Sequence, residues 1–332
     1  MDDSLLPTVR AALLADLSSH RRWLVESLWA RAGVGIVGGA PKCCKSWLAL
    51  DLALSVASNT PCLGHFAVHD PGPVLVYLAE DGPEAVKQRL LGLCRHRGLD
   101  LGAVPLDVIT APSLRLDLER DCARLGRTLR ATAPRLLVLD PFVRLHRIDE
   151  NSAAEVSLLL AFLRDLQREH DVAILVVHHA RKNGPAGTQA GQGLRGSGDF
   201  HAWIDSALYV RRAKDHLNVS VEHRAAPAPE AFPMALVPDD AGAARLELLE
   251  THDDDSNGPD LRTRLLDALD RSGGVASREA LRATLRLRNE RLGIVLQDLL
   301  REGVLARDNE GWRRVPVPHK GKKAERNAAS SP

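Results

Sequence analysis

From Val34 onward, short apolar runs alternate with stretches in which apolar residues recur every three or four positions. Residues 34–37, 73–78, 106–109, 135–139 and 172–177 read as strands. Several are apolar throughout, as in a parallel sheet covered on both faces. Residues 83–96, 116–131 and 152–170 carry the helical period; the last opens on Ser152, with Glu155 three residues on at the capping-box spacing. This alternation predicts an α/β, doubly wound, mostly parallel sheet. After residue 200 the pattern changes to a strand meander at 207–211, 217–222, 234–237 and 245–249. Ahead of the first strand, residues 4–18 suggest an amphipathic helix, so 1–30 is assigned to an N-terminal helical segment.

Between the second half of this pattern and the C-terminus lies an acidic, turn-prone stretch, residues 251–259, read as a linker. It separates a core of residues 31–250 from a small unit at 260–315. The last residues, 316–332, are polar and basic, and their composition predicts disorder.

The sharpest chemical signal is Gly39-Ala40-Pro41-Lys42-Cys43-Cys44-Lys45-Ser46, followed by Trp47. It fits G-x-x-x-x-G-K-[ST] except that Cys44 replaces the second Gly. It follows a strand and opens a helix, so backbone N–H groups can surround a triphosphate at a helix N-terminus. Lys45 would neutralise phosphate oxygens, and the Ser46 hydroxyl would ligate Mg²⁺. If position 44 needs positive φ, a side chain there costs about 1 kcal/mol or more. Vicinal thiols beside Lys45 and a helix N-terminus predict depressed thiol pKa values, through which oxidation would block nucleotide. The plainer alternative is two small residues that the loop tolerates.

Three further strand ends carry chemistry. Glu80 and Asp81 close the second strand; Glu80 suits a residue that polarises attacking water, and Asp81 suits an N-cap before Gly82-Pro83. Leu136-Leu137-Val138-Leu139-Asp140 has the Walker B form, an apolar strand that sets a carboxylate beside the phosphate loop to hold Mg²⁺. His178 and His179 are adjacent on a strand and must point to opposite faces. The Gly-rich loop that follows, residues 181–198, carries Arg181, Lys182 and Arg195, and is long enough to contact nucleic acid.

Composition narrows the class. With 44 Lys+Arg against 43 Asp+Glu and 45% hydrophobic residues, the 332-residue chain is neither disordered nor basic enough to coat nucleic acid by bulk charge. No 18-residue apolar run occurs and the acidic start, Met1-Asp2-Asp3, lacks a signal core, so a cytoplasmic location without membrane contact is expected. Five cysteines with no C-x-x-C pair argue against a disulfide framework or a zinc site.

Residues 22–228 resemble the RecA-like ATPases of the hexameric helicase group, and within it the RepA-like AAA family. The likeness rests on Trp23-Leu24-Val25, on Gly38-Gly39-Ala40-Pro41-Lys42-Cys43-Cys44-Lys45-Ser46-Trp47-Leu48-Ala49-Leu50, on Tyr77-Leu78-Ala79-Glu80-Asp81, on Asp140, and on Leu194-Arg195-Gly196-Ser197-Gly198 with Asp205 downstream. The resemblance implies ATP and Mg²⁺ as cofactors and a ring of identical subunits. It also implies Lys45 and Glu80 as catalytic, His179 as the γ-phosphate sensor, and single-stranded DNA at the 181–198 loop. The family's late-strand K-x-R-x-G-P appears as Glu222-His223-Arg224-Ala225-Ala226-Pro227. Arg224 thus matches the arginine offered to a neighbour, with Glu222 in place of the lysine; Arg211 and Arg212 are reserve candidates.

In the C-terminal unit, three helical patterns precede a hairpin at 303–315, an arrangement that resembles a winged helix-turn-helix. It holds 12 Arg against 9 acidic residues. Arg286, Arg288, Asn289 and Arg291 cluster at the start of the third helix, where duplex DNA would be met, and Arg307, Arg313 and Arg314 lie on the wing. Binding to protein alone is the alternative for such a unit. For the whole chain, the readings are an ATP-driven DNA motor or remodeller, an ATP-switched DNA-binding regulator or adaptor, and a degenerate fold that organises partners.

Overall fold

The computed structural model describes residues 8–13, 22–150, 152–179, 197–213, 215–238, 244–249, 261–285, 289–308 and 311–315. Arg181, Lys182, Arg195, Arg286 and Arg288, the linker, the basic tail and most of the expected helix at 4–18 lie outside them. Contacts divide the chain into two compact units, residues 1–251 and 252–332.

The first unit runs β1 (Trp23–Val25), β2 (Trp29–Ala30), β3 (Val34–Gly39), α1 (Lys45–Ser58), β4 (Val74–Leu78), α2 (Pro83–Arg97), β5 (Leu106–Val108), α3 (Glu119–Thr132), β6 (Leu136–Asp140), α4 (Ala153–His170), β7 (Ala173–His179), α5 (Ser197–Trp203), β8 (Ser206–Arg212), β9 (Leu217–His223), β10 (Phe232–Pro238) and β11 (Ala244–Leu248). Among the described residues it holds a nine-stranded sheet in the order β11-β10-β9-β8-β3-β7-β6-β4-β5. The six strands from β8 to β5 are parallel. The meander β9–β11 extends the sheet antiparallel from β8.

Burial explains the apolar runs. Every residue of β3, β4 and β6 is buried. Side chains alternate between faces: Val74, Val76 and Leu78 join the layer under α1 and α2, while Leu75 and Tyr77 join the layer under α3, α4 and α5. The parallel strands therefore end together at one edge, as a doubly wound sheet requires.

Two local expectations fail. Residues 23–30 are a short antiparallel hairpin, β1 with β2, and not helix. Trp29 is fully buried, its indole donates to the Gly33 carbonyl, and the Ala30 amide donates to the Ser206 hydroxyl. The burial of Trp29 and the long-range bond from Ala30 to β8 thus outweigh the local pattern. Ser152 precedes α4 but makes no side-chain cap bond, and Glu155 accepts from the Asp149 amide instead.

The second unit runs α6 (Leu261–Arg271), β12 (Val275–Ala276), α7 (Arg278–Leu285), α8 (Asn289–Arg301), β13 (Leu305–Asp308) and β14 (Gly311–Arg314). Among the described residues its strands form an antiparallel sheet in the order β12-β14-β13. Leu265, Leu269, Leu281, Leu292, Leu296, Leu305 and Trp312 close its own core. The Ser277 hydroxyl accepts from the Ala280 amide and caps α7.

Candidate nucleotide site

The loop from β3 to α1 turns through two left-handed residues, Lys42 (φ 63°) and Cys44 (φ 58°). Cys44 sits immediately before Lys45, the first residue of α1, and makes no side-chain cap. The expectation of positive φ at position 44 is met, in a residue that pays a steric cost glycine avoids. Gly39 (φ 153°) lies so close to β8 that a Cβ would run into the Val210 carbonyl. Lys45 is 4% exposed and its ammonium donates to the Ala40 carbonyl across the loop at 2.8 Å.

Four strand ends converge on this loop. Val138 faces the α1 layer, so by the two-residue period Asp140 does too, while Glu80, two residues past the end of β4, is near enough to act on the charges of Asp140 and Lys45. Asp140 is buried and accepts a hydrogen bond from Ser46. Its pKa is raised to about 6: burial is the main cause, with Asp81 and Glu80 adding to it and Ser46 and Lys45 opposing it. Burial likewise pushes the Lys45 ammonium below its ordinary value, countered by the nearby Cys43, Asp140, Cys44 and Glu80. A buried ammonium near a buried carboxyl that ionises only above about pH 6 forms a set suited to an anion with its cation.

The histidines divide as their spacing demands. His178 is buried on the far face, stacked on Phe200 with ring centroids 4.5 Å apart, and edge-on to Phe142. His179 pairs in register with Gly39, at the first residue of the phosphate loop.

Around these lie residues that the motifs did not mark. Arg144, four positions past Asp140, donates to Glu80 (Nε to Oε1, 2.9 Å). Asp81 is no N-cap: Gly82 occupies that position, and Asp81 is gripped by both terminal nitrogens of Arg89 at 2.6 and 2.9 Å. Arg89 in turn lies over the Trp47 ring, 5.5 Å from its centroid. No sequence pattern marks Arg144 or Arg89, because both reach the site across turns that depend on the fold.

The thiols do not match the redox expectation. Cys43 is buried, and burial pushes the Cys44 thiol up despite nearby Arg212 and Lys45.

Arg224 stands elsewhere. β9 runs antiparallel to β8, with His223 opposite Ser206, so Arg224 lies at the sheet edge opposite the phosphate loop. Its guanidinium donates to the carbonyls of Ile204 and Ala202 and lies beside Asp205. Asp205 also accepts from the Val34 amide and from Arg164. Glu222 meets the Tyr209 phenol diagonally across β8 and β9; burial, then Glu222, pushes that phenol well up. In the second unit Arg313 is paired with Asp308 at 2.6 Å, Arg314 pairs with Asp270, and Arg307 lies over Trp312. Asn289 and Arg291 belong to the first turn of α8. A cavity of about 440 Å³ between α1, α2 and β11, lined by Asp51, Leu63, His96, Arg97, Leu246 and Glu247, shares no residue with the site.

The AAA domain family matches residues 2–185, more than half of the chain. The chain belongs to the AAA domain family. Solved structures agree on the fold of this AAA protein. One solved ATPase domain superposes with a TM-score of 0.51 at 15% identity, over 65% of this chain and 84% of that one. A DnaB-like replicative helicase, solved for its interactions with primase, gives 0.51 at 15% identity, over 65% of this chain; the match spans 57% of that helicase. Fold and family together make the AAA protein a RecA-like P-loop ATPase. Among the described residues no helix is long and apolar enough to cross a membrane.

Proposed function

We propose that the protein is a Mg²⁺-dependent ATPase that couples hydrolysis to binding or remodelling DNA, as a ring or other homo-oligomer, in the manner of a plasmid or mobile-element replication helicase. The observation that carries the reading is the meeting of Ser46, Lys45 and Asp140 at one sheet edge, with Glu80 alongside.

In this reading Lys45 releases the Ala40 carbonyl and takes the β/γ oxygens, while amides of residues 40–46 line the phosphates. Ser46 and Asp140 would hold Mg²⁺, which supplies charge neutralisation on the phosphate oxygens. Glu80 orients and deprotonates the attacking water, and His179, beside Gly39, senses the γ-phosphate. Arg224 would serve a neighbour's site only after giving up Asp205 and two backbone carbonyls, so Arg224 as a trans-acting residue requires a change at that edge. Residues 261–314 would act as a winged helix on duplex DNA through Arg288, Asn289 and Arg291, with Arg313 supporting from the strand pair. Arg181, Lys182 and Arg195 would contact single-stranded DNA.

The test is ATP turnover with and without single-stranded DNA, beside mass determination with ATP. DNA-stimulated turnover, lost in Lys45→Ala and Glu80→Gln, supports the reading. Turnover in Lys45→Ala equal to wild type overturns it. Stimulation without separation of a forked duplex selects the second reading, an ATP-switched DNA-binding regulator or adaptor.

A further inference from the structure

We propose that Arg212 is a positioning residue that braces the phosphate loop of its own subunit, doing in part what the missing glycine at position 44 would do. The proposal rests on the nucleotide reading of the loop.

Arg212 is the last residue of β8, whose neighbour β3 leads into the loop; Val210 pairs with Gly39 two residues earlier. Its Nη2 donates to the Lys42 carbonyl at 2.7 Å. That carbonyl lies between the two left-handed residues, Lys42 and Cys44. A non-glycine residue tolerates this conformation only where surrounding contacts hold it there. A charge-assisted hydrogen bond to the carbonyl that joins positions 42 and 43 is such a contact.

The bond also has a direction. In a trans peptide the carbonyl and the following N–H point opposite ways. Anchoring the Lys42 carbonyl on Arg212 therefore turns the Cys43 N–H to the side away from Arg212. The proposal makes that side the concave one, so that the N–H is set for phosphate before nucleotide arrives. The same guanidinium is near enough to Cys44 to oppose, in part, the effect of burial on its thiol. A loop with glycine at position 44 would enter the left-handed region unaided. This chain carries cysteine there and an arginine within reach of the adjoining peptide.

The experiment measures binding of a fluorescent ATP analogue, KM and kcat for the full chain bearing Arg212→Ala, Arg212→Gln, Cys44→Gly and Arg212→Ala/Cys44→Gly. The brace predicts that Arg212→Ala weakens binding and raises KM about tenfold, the size of one charge-assisted hydrogen bond, with kcat changed far less. Arg212→Gln, which keeps a donor without charge, falls between. Cys44→Gly restores most of the loss in the double variant. Thermal melting within a degree or two of wild type shows that the fold is intact. Equal effects of Ala and Gln with no rescue by Cys44→Gly would mean that Arg212 acts through its charge on the phosphates, and would overturn the brace. So would unchanged binding in Arg212→Ala. Lys45→Ala serves as control: nucleotide binding retained there removes the nucleotide reading itself, whatever Arg212 does.

Discussion

Arg144 holds Glu80 by a single ion pair, Nε to Oε1 at 2.9 Å, with both side chains about half exposed. The Glu80 carboxylate is thus drawn to the turn just beyond Asp140. An exposed pair of this kind is worth up to about 1 kcal/mol, a factor of about five in rate if released in the transition state. Arg144→Ala is therefore expected to raise DNA-independent ATP turnover by up to about fivefold with KM unchanged. Steady-state assays decide it; a fall in kcat would show that the arginine assists Glu80.

Asp140 makes the apoprotein's stability depend on pH with a defined sign. Its folded-state pKa is about 6, above an unfolded value of about 3.9. Below the unfolded value the carboxyl is protonated in both states and contributes nothing. Between the two values the folded protein keeps a proton that the unfolded chain has released, so stability falls as pH rises; above about 6 the full penalty stands. Asp140→Asn, which mimics the protonated form, is expected to melt like wild type near pH 4 and several degrees higher near pH 7 in chelator, while losing turnover. Melting curves across that range check both the sign and the window.

The two histidines should separate stability from activity. His178 is stacked in the core, so His178→Ala is expected to cost about 2–4 kcal/mol, the range for truncating a large core side chain. His179→Ala, at the loop edge, is expected to leave stability within about 1 kcal/mol and to lower kcat. Denaturant unfolding beside ATPase assays measures the two effects independently.

A buried pair far from the phosphates gives a contrasting case. Arg97 Nη2 meets Asp51 Oδ2 at 2.6 Å, and the Asp51 side chain is 4% exposed. Removing the arginine strands a carboxylate inside α1, with the Leu63 amide still donating to it. Arg97→Ala is expected to destabilise by about 3–5 kcal/mol. Arg97→Ala/Asp51→Asn should recover part of that loss in urea unfolding.

The strands and the phosphate loop were legible because their signals are local. Buried parallel strands write continuous apolar runs, and Lys45-Ser46 and Asp140 sit at fixed offsets from the ends of theirs. The meander was equally plain, since β8 to β11 are short runs between turn residues. What the sequence did not disclose depends on distance along the chain. Arg144 reaches back 64 residues to Glu80, and Arg212 reaches back 170 residues to Lys42. Nothing in the spacing of an arginine announces such a partner. The hairpin at β1 and β2 is hidden for a related reason: Ala30 is tied to Ser206, 176 residues away, while the helical period nearby is local. An acidic residue before Gly-Pro reads as a cap, whereas the Asp81 carboxylate is held by Arg89 eight residues later.

Asp205 grips the Val34 amide at the rear end of β3 and also lies beside Arg224. β3 is hydrogen-bonded on both flanks and buried along its length, and Gly39 stands at its other end. One six-residue strand thus separates the carboxylate that Arg224 flanks from the glycine that opens the phosphate loop.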